Sequence, residues 1–269
     1  MGKNNKKILV VSSKGGVGKS TVSMQLIAPY LYINNKNTPI NFYEFDDENL
    51  DSLSYGGSRL TIREPIDVDE FVLMNKLIDI LSSKESCCID VGGNKSTAIC
   101  LDVLEDCGLG YEIDLAIIPL LDGEQDAINA KKTYNRLKII DKNMKIVFAL
   151  NKVTNKKYLK EQFENFFGDI RGIFNDKDAI INHIKKDELD NYIAIQNSDV
   201  IKFSRKFGTT IFEIVHQDRD FDTEFKATNK EKEKKLIAFK HYLFQNCKKY
   251  YKDTLKECFK KLDTIGENR

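Results

Sequence analysis

The chain has no tryptophan, only three histidines and only four prolines. No apolar run approaches the roughly 18–20 residues needed to cross a bilayer, so a membrane-spanning helix is not expected. Six cysteines (Cys87, Cys88, Cys100, Cys107, Cys247, Cys258) include no C-x-x-C pair, and three histidines are few to complete a four-ligand zinc site. They read as reduced, mostly buried thiols of a cytosolic protein. The prolines are scattered and mark no linker; no internal repeat or low-complexity tract is present. The opening MGKNNKKILVVSS lacks a small-residue cleavage site, which argues against a secretory signal. Met1-Gly2 is not followed by Ser or Thr at the sixth position, which excludes the myristoylation pattern.

What is present suits a globular protein: 269 residues, 41% apolar and 31% charged, enough for one large domain or a domain with an appendage. The net charge of +1 hides an asymmetry. Residues 226–262 carry twelve lysines against four acids, so the rest of the chain is mildly acidic. A basic region on an acidic body fits contact with a polyanion, and equally a solvated lysine-rich helix.

Short runs rich in β-branched residues recur at Ile8–Val11, Ile40–Phe45, Ser86–Val91, Leu115–Leu120, Ile146–Leu150 and Tyr192–Ile195. Between them lie stretches of helical periodicity, among them Lys19–Ile33, Phe71–Leu81, Asp126–Leu137 and Leu159–Phe167. This alternation predicts an α/β fold, a mostly parallel twisted sheet covered by helices on both faces. Residues 216–235 are highly charged and read as a surface loop or solvated helix start. From Leu236 onward, apolar residues at three- and four-residue steps predict a long amphipathic helix, broken once. The expected division is 1–215 as the main domain and 216–269 as a charged, mainly helical basic extension.

"SSKGGVGKST" (12–21) follows the first apolar run and opens a helix, the context a phosphate-binding loop requires. Gly15, Gly16 and Gly18, with Val17 between them, let backbone N–H groups approach phosphate oxygens. Lys19 would neutralise the β- and γ-phosphates, Ser20 would put its hydroxyl on Mg²⁺, and Thr21 starts the helix whose N-terminus faces the anion. Ser13 stands where the generic pattern has its first glycine, and a second lysine, Lys14, follows it.

With that second lysine, KGGVGKST resembles the deviant phosphate loop of the ParA/MinD family of P-loop ATPases. The resemblance implies ATP and Mg²⁺ as ligands, slow, partner-stimulated hydrolysis, and an ATP-dependent homodimer. Lys14 would then reach across to the phosphates of the other subunit, much as an arginine finger does. "EFDDEN" resembles the family's acidic switch, with Asp46 as the residue that would orient the attacking water. Glu44 stands where an aspartate is usual, and Asp47 and Glu48 replace the common Pro and Gln. "DVGGN" resembles the family's region after the third strand, where Asp90 would hold Mg²⁺ through water and Gly92–Gly93 would approach the γ-phosphate. Asn151 of "FALNKV" matches an Asn that contacts the adenine edge. Thr154 stands where a GTPase would carry its guanine-reading carboxylate, which favours ATP. "IQNSDVIKFSRKFGTTI" matches a further family stretch, with Ser204 where Ala is usual. The resemblance covers about residues 7–215.

For such a switch the implied partners are non-specific DNA, bound through the basic C-terminal region, and a ParB-like or cargo adaptor protein. The function expected is segregation or positioning of DNA cargo, as in plasmid partition. Two alternatives stay open. One is a MinD-like membrane-positioning ATPase using Tyr250–Leu262 as a surface helix, although that apolar face could instead pack on the body. The other is a conjugation-associated scaffold with little turnover, suggested by the irregular switch.

Overall fold

The computed structural model describes residues 5–45, 51–66, 69–173 and 177–267. Seven strands form one parallel sheet in the order β3-β2-β4-β1-β5-β6-β7. In chain order, β1 (Lys7–Val11) leads through the phosphate loop into α1 (Lys19–Val22). A π-helical turn (Ser23–Ile27) joins α1 to α2 (Ala28–Asn34). Then come β2 (Ile40–Phe45), a short 3₁₀ turn (Asp51–Tyr55), β3 (Thr61–Pro65), α3 (Glu70–Ser82), β4 (Cys87–Val91) and α4 (Asn94–Asp106). β5 (Leu115–Leu120), α5 (Glu124–Ile140), β6 (Ile146–Val153), α6 (Leu159–Gln162) and α7 (Glu164–Phe167) follow. The chain ends through β7 (Tyr192–Gln196), α8 (Asp199–Lys206), α9 (Ile211–Val215), α10 (Phe221–Ala227), α11 (Glu231–Tyr250), a second π-helical turn (Tyr251–Leu255) and α12 (Lys256–Glu267).

The strands β1, β4 and β5 are buried along their whole length, as parallel strands covered on both faces must be. Alternate residues feed two cores. Ile8, Val10, Cys88 and Ile117 face one layer, built from α1–α2, α8–α9 and the C-terminal helices. Leu9, Val11, Ile89 and Ile118 face the other, built from α3, α4, α5 and the α6–α7 region. The strand missed in the sequence, β3, is an edge strand of sequence TIREP. Its charges, its proline and its partly exposed faces hide it from a search for apolar runs.

α9 ends at Val215, and the helices beyond it share the core of the sheet. Leu243, Cys247, Tyr250, Leu255, Phe259 and Leu262 all belong to the first core layer. The expected break in the long helix is the π-helical turn, which widens the helix by one residue and does not stop it. α12 is tied further by Tyr30 Oη donating to Asp263 (2.9 Å) and by Lys145 Nζ donating to the Gly266 carbonyl (2.7 Å). The apolar face of 250–262, a candidate membrane surface by sequence, is therefore turned into the protein. Among the described residues, no helix is long and apolar enough to cross a membrane.

Candidate functional site

The phosphate loop hangs from the C-terminal end of β1, at the centre of the sheet. That is where ligands of open α/β sheets bind. Gly16 (φ 77°) and Gly18 (φ 90°) both adopt left-handed backbone that a side chain would strain. Space around Gly15 and Gly16 is open, so their backbone faces the cavity, whereas a Cβ on Gly18 would come within 2.1 Å of Asn151 Nδ2. Two side chains brace the loop from behind. Asn151 Nδ2 donates to the Val17 carbonyl (2.9 Å), and Thr97 Oγ1, from the first turn of α4, donates to the Ser12 carbonyl (3.2 Å).

Lys19 is buried and its ammonium donates to the Lys14 carbonyl (3.1 Å). Lys14 itself points toward α5, where its Nζ lies 3.1 Å from Asp126 Oδ1. Asp126 is nearly buried while Lys14 is one-third exposed, and the contact is an ion pair without the alignment of a hydrogen bond. The two lysines thus diverge, one into the loop and one to its rim.

Asp90, the penultimate residue of β4, lies beside Glu44 of β2, which pairs with it in register; both carboxylates are buried. Burial first, then repulsion from Glu44, pushes the Asp90 carboxyl up to about 7. Lys19 and the nearby hydroxyls of Ser23 and Ser20 pull the other way without cancelling this. Neither Asp90 oxygen makes a hydrogen bond of normal geometry, and nor does Ser23 Oγ, although the Ser23 and Ser20 hydroxyls lie close enough to interact with the carboxylate. A buried, unpartnered carboxylate is costly unless a cation completes it. Asp90 and the Ser20 hydroxyl are hard oxygen donors of the kind Mg²⁺ takes alongside phosphate and water. Among the described residues no group of three or more His, Cys, Asp or Glu side chains could cage a metal alone. The donor set fits an ion carried in with phosphates.

The cavity over the loop measures about 810 Å³. One wall is the loop and α1, with Gly93 (φ 60°) at its edge; the other runs from Gln196 along α8. That second wall bears Lys202, Arg205 and Lys206, with Asp199 as its carboxylate. Lys152 also lines the cavity and holds a left-handed backbone (φ 57°). Asn151 also lines the cavity, and much of its amide is committed: beside the bond to Val17, its Oδ1 accepts from Lys152 N (2.8 Å). One amide hydrogen remains for a base. The Thr154 hydroxyl donates to Gln162 Oε1 (3.0 Å).

The structure thus brings Lys14, Gly15, Gly16, Val17, Gly18, Lys19, Ser20, Thr21, Asp90 and Asn151 to one end of the sheet. Asp46, with Asp47 and Glu48, lies outside the described residues. Sequence reading missed Thr97, Asp126 and the cationic wall of α8. The last sits within the quoted family stretch; the first two are joined to the loop only by the fold.

No family model and no curated protein matches the sequence. Among solved structures, apo McdA from Cyanothece superposes with a TM-score of 0.50 at 13% identity, covering 79% of this chain and 94% of that one. MinD cell division protein from Aquifex aeolicus gives 0.49 at 15% identity, covering 80% and 91%. A putative plasmid partition protein from Borrelia burgdorferi bound to AMPPNP gives 0.46 at 14% identity, covering 90% and 99%. At these identities the likeness is one of fold: the seven-stranded parallel α/β sheet is shared with McdA.

Proposed function

We propose that this chain is a ParA/MinD-type ATPase, an ATP-gated homodimeric switch that hydrolyses ATP to ADP and phosphate while positioning DNA cargo. The observation that carries the reading is the two-lysine loop facing an unpartnered buried Asp90. In this account the loop N–H groups and Lys19 hold the β- and γ-phosphates, and Ser20 and Asp90 hold Mg²⁺. Bound there, Mg²⁺ would neutralise charge on the phosphate oxygens. Asp46 orients the attacking water, a role drawn from the sequence resemblance alone. Lys14 serves the partner subunit's nucleotide, for which it must leave Asp126. A second cation at the γ-phosphate stabilises charge that grows as the bond breaks.

A row of lysines supports DNA as the surface bound. Lys248, Lys252, Lys256 and Lys260 recur at steps of four along α11, the π-helical turn and α12, all exposed. Steps of four place them about 6 Å apart on one helix face. Among the described residues none of the four is ion-paired with a carboxylate; the pairs in this region involve Lys230, Lys235 and, from the body, Lys156. The opposite, apolar face packs on the sheet, which leaves the lysine edge for a polyanion and removes the face a membrane reading requires. An adaptor of the ParB type would supply the cargo.

The test is ATP turnover with and without duplex DNA, together with DNA retention at increasing salt. Stimulated turnover and ATP-dependent retention are expected. Replacing Lys252 and Lys256 by Glu should lower the slope of log affinity against log salt by about 2. Equal retention with ATP, ADP and no nucleotide would contradict the DNA reading.

A further inference from the structure

The π-helical turn after the phosphate loop carries a buried amide, Gln25, whose every bond leaves its own helix. Its Oε1 accepts from Ile211 N, the first N–H of α9 (2.9 Å), and its Nε2 donates to Ser204 Oγ on α8 (2.8 Å) and to Tyr55 Oη (3.2 Å). Ile211 N can only donate, so the amide orientation is fixed by chemistry. Gln25, Ser204, Ile211 and Tyr55 are all buried, so these bonds face no competition from water.

The position of Ser204 gives the bond a consequence. Ile201, Lys202, Arg205 and Lys206 of α8 form one wall of the cavity, while Gly15, Gly16, Gly18, Lys19, Ser20 and Thr21 form the other. Gln25 lies six residues beyond Lys19, about one and a half turns into the helix that the loop opens. Ser204 sits between the cavity-lining positions of α8. Its hydroxyl accepts from Gln25, which ties α8 to the helix behind the loop, and spends its one proton within α8 on the Ile201 carbonyl (2.9 Å). Ser204 is also the position at which this chain departs from the Ala of the resembled pattern. The same clamp holds the segment after β2: Gly57 N donates to the Gly208 carbonyl (2.8 Å) and Arg205 Nε to Ser54 Oγ (3.2 Å).

We propose that Gln25 and Ser204 are a positioning pair that sets the width of the nucleotide cavity, locking the cationic wall of α8 at a fixed distance from the phosphate loop. The inference rests on the reading of the cavity as a nucleotide site. Neither residue lines the cavity; both act through α8.

Ser204→Ala removes the acceptor at almost no change in volume, and Gln25→Met keeps the length without the amide. The measurement is the dissociation constant for a fluorescent ATP analogue with Mg²⁺, alongside far-ultraviolet circular dichroism and melting temperature. Ser204→Ala, which loses the one bond to Gln25, should weaken binding about tenfold; Gln25→Met, which also gives up Ile211 N and Tyr55 Oη, should weaken it at least as much. The double variant should be little worse than Gln25→Met alone, because that change already removes the tie to Ser204. A merely structural role would lower the melting temperature and leave affinity alone. Folded Ser204→Ala that binds within twofold of wild type overturns the pair while leaving the site intact. Wild-type protein that fails to bind nucleotide, as Lys19→Ala is expected to fail, overturns the nucleotide reading and the pair with it.

Discussion

Replacing Asp90 by Asn should make the ligand-free protein more stable and disable its site. The carboxyl is held at about 7 in the fold against 3.8 for the free group, a rise caused by burial and by Glu44. A rise of that size corresponds to ~4 kcal/mol of preference for the neutral form. The sign follows from proton binding. Below pH 4 both folded and unfolded chains hold the proton and nothing is lost. Between pH 4 and 7 the unfolded chain releases it while the folded chain keeps it, so stability falls as pH rises, levelling off above 7. Asn has the same shape and no charge to desolvate. Its buried amide shares the lack of partners that the neutral carboxyl already has, so a net gain of up to ~4 kcal/mol remains at pH 8. For a chain of this size each kcal/mol is worth about 2–4 °C. Thermal melts in chelator, from pH 4.5 to 8, should show the Asn variant melting several degrees higher at pH 8 and converging with wild type at the acid end. Adding Mg²⁺ and ATP should raise the wild-type melting temperature and leave the variant nearly unmoved. An Asn variant that melts below wild type at pH 8 without ligand would refute the argument.

Gly18→Ala should cost nucleotide binding outright, because the new methyl would meet Asn151 Nδ2 and strain a φ of 90°; titration with a fluorescent nucleotide checks this, and normal affinity would count against it. Asn151→Ala strips the brace from Val17 and orphans Lys152 N, so a loss of about 1–3 kcal/mol is expected in denaturant unfolding. Asp126→Asn frees Lys14, so ATP-dependent association should occur at several-fold lower protein concentration, read by sedimentation; an unchanged midpoint would show that the ion pair restrains nothing.

The clearest strands in the sequence were those buried on both faces, where burial demands uninterrupted apolar residues, as in Leu115–Leu120; β2 and the edge strand β7, half-buried, were still legible because their exposed positions are mostly aromatic or apolar. β3 was not legible, since an edge strand can carry Arg63, Glu64 and Pro65. The loop was legible because its glycines and lysines are contiguous. What surrounds it was not, because it is assembled across long separations: Asp126 comes to Lys14 from 112 positions away, and Ser204 to Gln25 from 179. The pairing of Glu44 with Asp90 depends on β2 lying beside β4, a fact of strand order that no local spacing encodes. Asn151 was recognised by its place at a strand end, but its bond to Val17 emerged only from the fold. The lysines of the tail could be counted; that four of them form a single edge required the helix to run through residues 251–255 without stopping.

The central claim is a shared site completed by a second subunit, and light scattering of the protein in solution tests it most directly. With Mg²⁺ and ATP, the mass should rise from 30.9 kDa toward twice that value. ADP should leave it monomeric, and Lys14→Ala should bind ATP yet fail to dimerise. A mass that ignores the nucleotide, or dimers of Lys14→Ala that match wild type, would contradict the account.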